Sequence, residues 1–128
     1  MDPKTLRYAK THEWAALDGD VVTVGITKFA VEQLTDVTHV ELFKPGREVT
    51  AGQPFGEIES VKSVNDLYAP VSGEIAAVNT ALTNDPSLVT NDPYGAGWMV
   101  KIKVKPGTKL DQLMTLDAYE KQVASEGH

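Results

Sequence analysis

The sequence predicts a mainly β fold of the sandwich or barrel type, with short helices that include the C-terminal segment. Short segments rich in β-branched residues recur between turn signals from about residue 13 to residue 104, as they do in sandwiches and barrels. After Pro106-Gly107 the apolar residues change to helical spacing. A chain of 128 residues supports one ordinary hydrophobic core, so a single domain over 1–128 is expected.

The first two strands form a predicted hairpin. Residues 13–17 and 21–26 flank a turn rich in Asp and Gly. The period of two in a strand places Thr11 and Glu13 on one face and their chain neighbours on the other. Thr27 then offers an N-cap for a short helix, because apolar residues follow it at helical spacing.

Five further strands are predicted from alternating apolar and polar residues and from turn signals: 37–42, 55–61, 64–69, 71–78 and 98–104. The polar stretch 79–97 is interpreted as turn-forming, because it contains two Asp-Pro pairs. The tail, at about 108–126, is predicted as one or two helices whose apolar residues pack on the β body. Thr108 and Thr115 are its candidate N-caps.

The charge balance argues against nucleic-acid binding. Eighteen Asp and Glu side chains outnumber twelve Lys and Arg, which gives a net charge of −6, whereas phosphate contact needs a basic surface. No apolar run approaches the length of a membrane span. The N-terminus has neither a signal-peptide core nor a transit segment, so a cytoplasmic location without a membrane partner is expected.

The residue inventory excludes several kinds of chemistry. The chain has no cysteine, which removes disulfides, thiolate nucleophiles and cysteine-ligated zinc sites. Its three histidines, His12, His39 and His128, lack the spacing of metal ligands, so no metal site is expected. Redox or group-transfer chemistry therefore needs an attached cofactor.

One lysine lies at the turn of a predicted hairpin. Lys62 separates the strands 55–61 and 64–69, and a turn exposes its side chains to other proteins. Most surface lysines only increase solubility. Two features favour recognition by a modifying enzyme instead: the turn lacks an Asn-Gly or Asp-Gly signal, and apolar Val61 and Val64 flank the lysine.

Acidic residues surround this lysine in the sequence: Glu57, Glu59, Asp66 and Glu74. Two interpretations stay open. These residues form the polar face of an ordinary solvated strand, or they form a docking patch for basic partner surfaces. A docking patch would speed encounter more than it tightens binding.

The region around Lys62 is similar to a known family. Residues 59–74 read ESVKSVNDLYAPVSGE, which closely resembles the lipoyl-lysine motif of glycine cleavage system H proteins. Further segments resemble the family in the same order: THEW at 11–14, VGIT at 24–27, VEL at 40–42, DPYG at 92–95 and GWM at 97–99. The resemblance extends from about residue 8 to the C-terminal helices.

The resemblance implies a fold and a modification. The fold is the hybrid barrel-sandwich of lipoyl and biotinyl domains, with a lipoyl hairpin at about 55–78. By resemblance, Lys62 carries lipoate through an amide on its side-chain nitrogen, and Glu59 helps the lipoylating enzyme to recognise the hairpin. Asn65 departs from the family pattern, since many members have serine there.

The resemblance also implies a cleft for the loaded arm. Thr11, Glu13 and Asp66 match the positions that hold the arm when it carries an aminomethyl group. From the strand pattern alone, Glu13 is interpreted as an exposed and solvated residue, and an acid beside a hairpin tip, such as Asp66, is common. Only the resemblance assigns these carboxylates a role.

The family's role, carried over by resemblance, is that of a carrier that is not itself an enzyme. Its arm takes the aminomethyl group of glycine from a pyridoxal-phosphate glycine decarboxylase to a tetrahydrofolate-dependent aminomethyltransferase. Dihydrolipoyl dehydrogenase then reoxidises the arm. A lipoate ligase or an octanoyl/lipoyl transferase attaches the lipoyl group, and a monomer is expected.

Three alternative roles for Lys62 differ in how well the sequence fits them. A lipoyl carrier could relay lipoate to 2-oxoacid dehydrogenases, and the hairpin does not distinguish this use from glycine cleavage. A biotin carrier is disfavoured, because that family flanks its lysine with methionines where this chain has Val61 and Ser63. An enzyme that uses Lys62 as a Schiff base would need a buried lysine, which a hairpin tip does not provide.

Overall fold

A computed structural model describes residues 2–34 and 36–126. Nine strands in this part of the chain are β1 Arg7–Tyr8, β2 Glu13–Asp18, β3 Val21–Ile26, β4 Val37–Leu42, β5 Glu48–Val49, β6 Pro54–Ser60, β7 Val64–Tyr68, β8 Gly73–Val78 and β9 Val100–Lys103. The helices are α1 Lys28–Leu34, α2 Ala81–Asn84, α3 Ser87–Asn91 and α4 Leu116–Glu126, preceded by a 3-10 turn at Pro3–Thr5.

The strands form two antiparallel sheets that share one core. The larger sheet has the order β1-β2-β3-β9-β8-β5, and the smaller has the order β4-β6-β7. Val24 and Ile102 from the larger sheet join Ile58 and Leu67 from the smaller in one buried cluster. The mainly β, sandwich-like prediction is confirmed, and within the described residues both sheets stay open rather than closing into a barrel.

Two predicted hairpins are confirmed, and both border the site described below. Strands β2 and β3 pair from Glu13 opposite Ile26 to Asp18 opposite Val21. Strands β6 and β7 pair up to Glu59 opposite Val64, which leaves Lys62 in the turn between them. Strand β7 is an edge of its sheet.

Helix α1, which follows β3 in the chain and precedes β4, begins where the sequence predicts. The hydroxyl of Thr27 accepts a hydrogen bond from the backbone N–H of Ala30 at 3.3 Å, which is the bond that an N-cap makes. Val31 of α1 is buried in the shared core. Helix α1 therefore packs one side on the β body and keeps its other residues at the surface.

The polar stretch and the tail differ from their predictions. The stretch 79–97 contains α2 and α3, whose buried Leu82 and Val89 anchor them to the core. The tail becomes helical only at Leu116, and residues 108–115 precede the helix. Met114 exchanges two backbone hydrogen bonds of 2.8 Å with Tyr8, so its backbone is unavailable to a helix.

The two predicted caps of the tail have different outcomes. Thr115 accepts a hydrogen bond from the N–H of Ala118 at 3.3 Å and is the N-cap of α4, as predicted. Thr108 starts no helix, since its hydroxyl donates to the carbonyl of Lys105 within a turn. No helix of the described residues is long and apolar enough to cross a membrane.

Candidate functional site

The hairpin tip presents Lys62 on a turn that is tied together by polar side chains. The backbone N–H of Ser60 donates to the carbonyl of Ser63 at 2.8 Å, and the two serine hydroxyls lie 3.1 Å apart. The side-chain amide of Asn65 donates to the Ser63 hydroxyl at 3.1 Å. Asn65, where the sequence departs from the family pattern, thus takes part in holding the turn, and Lys62 itself is exposed.

A cleft of about 540 Å³ lies between the start of β2, helix α1 and strand β7. Its lining includes Thr11, Glu13 and Asp66, the three residues that the sequence analysis grouped on the strength of the resemblance. Helix α1 adds Phe29 and Gln33 to the wall. Neither residue was predicted to belong to a site, and the signal that the sequence offers for them is the helical spacing that turns them to one side of α1.

Glu13 forms the floor of the cleft and is buried, with 1% of its surface exposed. Its interpretation as a solvated residue is wrong. One carboxylate oxygen accepts a hydrogen bond from the Thr11 hydroxyl, and the other accepts from the backbone N–H of Tyr68 at 3.1 Å. Burial raises the pKa of Glu13 to about 7, although both hydrogen bonds act in the opposite direction. Its charge therefore changes near neutral pH.

The backbone conformation of His12 explains why Thr11 does not lie on a strand as the period of two predicted. His12 has a φ of +79°, a left-handed conformation that is uncommon outside glycine. Strand β2 begins only at Glu13, so Thr11 lies in a turn and not on a strand. Thr11 and Glu13 nevertheless meet, because the Thr11 hydroxyl donates to the carboxylate of Glu13.

The side chain of His12 connects the cleft wall to the C-terminal helix. Its Nδ1 lies 2.8 Å from the Tyr119 hydroxyl, which in turn lies 2.6 Å from the Thr27 hydroxyl. Its Nε2 is 3.5 Å from the carboxylate of Glu126, and its ring centroid is 5.1 Å from that of Phe29. Helix α4 is therefore fastened to the residues that shape the cleft.

Asp66 is placed differently from Glu13. It is exposed, it lies on the edge strand β7, and it stands opposite Glu57 in the neighbouring strand. It borders both the cleft and a second depression, of about 590 Å³, whose lining includes Glu57 and the basic residues Lys44 and Arg47. Its carboxylate is at the rim of the cleft, where water reaches it.

The acidic residues around the hairpin divide into two groups. Glu57 stands between Glu41 and Asp66 across the three strands of the smaller sheet. Glu59, two residues nearer the tip than Glu57, stands opposite His39 on one side and Val64 on the other. Glu74 belongs elsewhere, because it faces Glu48 and Lys103 in the larger sheet.

Among the described residues no group of three or more His, Asp or Glu side chains is arranged to hold a metal ion. His128, which the sequence analysis considered, lies outside the described residues. The site therefore consists of an exposed lysine, a turn that positions it and an acidic cleft at the edge of β7.

The fold and the site together define a lipoyl-type domain, a two-sheet β body with a lysine at a hairpin tip. A family model described as glycine cleavage H-protein matches residues 6–126. The chain belongs to the glycine cleavage H-protein family.

Individual relatives are similar to this protein over nearly the whole chain. A glycine cleavage system H protein of Carboxydothermus hydrogenoformans is 46% identical over 98% of this chain and 96% of its own length. A probable glycine cleavage system H protein of Haloarcula marismortui is 48% identical over 94% of this chain and 95% of its own. The crystal structure of a glycine cleavage system H protein from Mycobacterium marinum superposes with a TM-score of 0.83 at 39% identity, covering 99% of this chain and 100% of that one.

Proposed function

We propose that this chain is the lipoylated carrier of a glycine cleavage system. It takes the aminomethyl group of glycine from the pyridoxal-phosphate decarboxylase to the tetrahydrofolate-dependent aminomethyltransferase, and dihydrolipoyl dehydrogenase reoxidises it. A lipoate ligase or an octanoyl/lipoyl transferase attaches the lipoyl group to Lys62. The observation that carries the proposal is an exposed Lys62 on a hydrogen-bonded turn whose strand β7 leads to the cleft.

The distances allow an arm on Lys62 to reach this cleft. A lipoyl-lysine side chain of about a dozen bonds spans roughly 14 Å when extended. Asp66 lies four residues beyond Lys62, and a strand rises about 3.4 Å per residue, so its backbone is within roughly 14 Å. Tyr68, whose N–H donates to Glu13, lies two residues further along β7, at most roughly 20 Å from Lys62 by the same rise. An arm laid along this edge therefore reaches the rim of the cleft at Asp66, and its cargo is directed from there towards Glu13.

The lipoyl group, when attached, supplies a disulfide that accepts the aminomethyl group on one sulfur. Within the cleft, the ionised Glu13 accepts a charge-assisted hydrogen bond from the cationic amine of that cargo. A nearby cation favours the ionised form of a carboxylate, so the amine and Glu13 stabilise each other's charge. Burial strengthens the interaction, because little water competes for the carboxylate.

The hold on the cargo stays moderate for a structural reason. Both oxygens of Glu13 already accept a hydrogen bond from the protein, so the amine shares them. A carrier must also release its arm to the next enzyme, and every 1.4 kcal/mol of affinity reduces the free population about tenfold. The proposal further takes the chain to be a cytoplasmic monomer with no catalytic residue of its own.

The test is reconstitution with the chain in two forms. The unmodified chain and the chain loaded with lipoate are mixed with the three enzymes, glycine, tetrahydrofolate and NAD, and NADH formation is followed. Only the loaded chain should support glycine-dependent NADH formation. A loaded chain that gives none, but that donates its lipoyl group to 2-oxoacid dehydrogenase domains, would instead establish the relay role.

A further inference from the structure

Two of the large apolar side chains that stay exposed flank Lys62. In the part of the chain that the structure describes, three large apolar side chains are exposed: Leu17 at 38%, Val61 at 74% and Val64 at 61%. Single apolar residues at a surface are ordinary. Leu17 is such a case, on β2 in the larger sheet. The pair at the tip differs, because both valines stand beside the one lysine of the turn.

This turn exposes apolar side chains and engages polar ones, which is the opposite of an ordinary turn. Turn residues are usually polar and face water. Here the hydroxyls of Ser60 and Ser63 lie 3.1 Å apart and Asn65 donates to Ser63, so these polar groups bond to one another. Val61 and Val64 are left to form the outer surface. An arrangement that exposes valine and engages serine suits contact with an apolar partner surface.

The length of the lysine side chain identifies that partner. Five bonds separate the lysine Cα from Nζ, which is roughly 6 Å when extended. An enzyme that acylates Nζ must bring its acyl carbon to that atom, so it must contact the residues beside Lys62. Enzymes that use the finished arm work roughly 14 Å from the backbone, and they need not touch the valines.

We propose that Val61 and Val64 form an apolar collar around Lys62 that docks into an apolar mouth of the acyl-attaching enzyme. This inference rests on the proposed attachment of lipoate at Lys62. In the attachment step, the neutral lysine nitrogen attacks the carbonyl carbon of an acyl adenylate or acyl thioester. An amide bond forms, the bond to the adenylate oxygen or thioester sulfur breaks, and the nitrogen releases a proton to water.

The test replaces each valine with threonine, which keeps the β-branched shape and exchanges one methyl group for a hydroxyl. V61T, V64T and the double variant are compared with wild type and with L17T, an apolar-to-polar change at a distant exposed position. The probe is a lipoate ligase with lipoate and ATP, and attachment is followed by intact mass. The double variant should lose at least tenfold in kcat/KM, mainly through KM, and L17T should stay within about twofold.

Three outcomes decide the inference. Attachment to the double variant at the wild-type rate overturns the collar, provided that wild type is itself modified. No modification of wild type would contradict the proposed function instead. A third measurement follows reduction of the lipoylated double variant by dihydrolipoyl dehydrogenase, which should proceed at the wild-type rate. A loss there as large as the loss in attachment would overturn the assignment of the collar to the attaching enzyme.

Discussion

The hairpin tip and the floor of the cleft create functional groups in opposite ways. At the tip, Lys62 is exposed, and its proposed role depends on where the turn places it. At the floor, Glu13 is 1% exposed and its pKa lies near 7 because of burial. The side-chain hydrogen bonds at the tip join residues within six positions of one another. The floor needs partners from distant strands and a helix, so its chemistry depends on the whole fold.

The largest expected effect separates function from stability at the tip. Lys62→Arg keeps the charge but removes the amine that forms the amide, so lipoate attachment should fall to zero. Stability should change by no more than about 0.5 kcal/mol, because the residue is exposed. Intact mass and urea unfolding measure the two quantities, with Lys105→Arg as the exposed control. Attachment to the Lys62→Arg chain would contradict the assignment.

The next prediction concerns the floor, where function and stability are linked. The pKa of Glu13 rises from 4.5 to about 7 on folding, so the unfolded chain releases its proton first. Wild-type stability should therefore fall relative to Glu13→Gln, which does not titrate, as the pH rises from about 4.5 to about 7. The difference should amount to about 3 kcal/mol and should stay constant above that window.

Urea unfolding of wild type and Glu13→Gln across the same pH range measures this difference. Asp66→Asn is the matched control, because its carboxylate is exposed and it lies at the rim of the same cleft. A difference between wild type and Glu13→Gln that does not change with pH would show that burial does not raise the pKa of Glu13.

A smaller effect is expected where the floor meets the C-terminal helix. Tyr119→Phe removes a buried hydroxyl that lies between His12 Nδ1 and the Thr27 hydroxyl. Leaving these partners unsatisfied should cost about 2 kcal/mol in the free energy of unfolding. Tyr8→Phe should cost less, because the hydroxyl of Tyr8 donates to the carbonyl of Pro3, which is only partly buried and can bond to water instead. Equal losses in the two variants would mean that the His12 contact adds nothing.

The smallest effect belongs to the rim. Asp66 stands opposite Glu57, and like charges in facing positions destabilise a sheet. Asp66→Asn should therefore stabilise the fold by about 0.2–0.5 kcal/mol at low salt, and the gain should vanish at high salt. Thermal unfolding at two salt concentrations measures this gain. A loss of stability would mean that the Asp66 carboxylate makes a favourable contact.

Much of the fold could be predicted because it depends on neighbours in the chain. The β2–β3 and β6–β7 hairpins follow from alternation and turns, and Thr27 and Thr115 cap their helices through bonds three residues away. The helix predicted for the tail is wrong from residue 108 to residue 115, because the backbone of Met114 bonds to that of Tyr8, 106 positions away. A helical period in the sequence carries no information about such a distant bridge.

The candidate site divides along the same line. The sequence by itself determined which lysine lies at a hairpin tip, because the side-chain bonds of its turn join Ser60, Ser63 and Asn65 within one hairpin. The tertiary structure alone decided that Glu13 is buried and titrates near neutral pH, since its partner is the backbone of Tyr68, 55 positions away. Hydrogen bonds between near neighbours depend on residues close together in the sequence, whereas burial depends on every element that packs against the group.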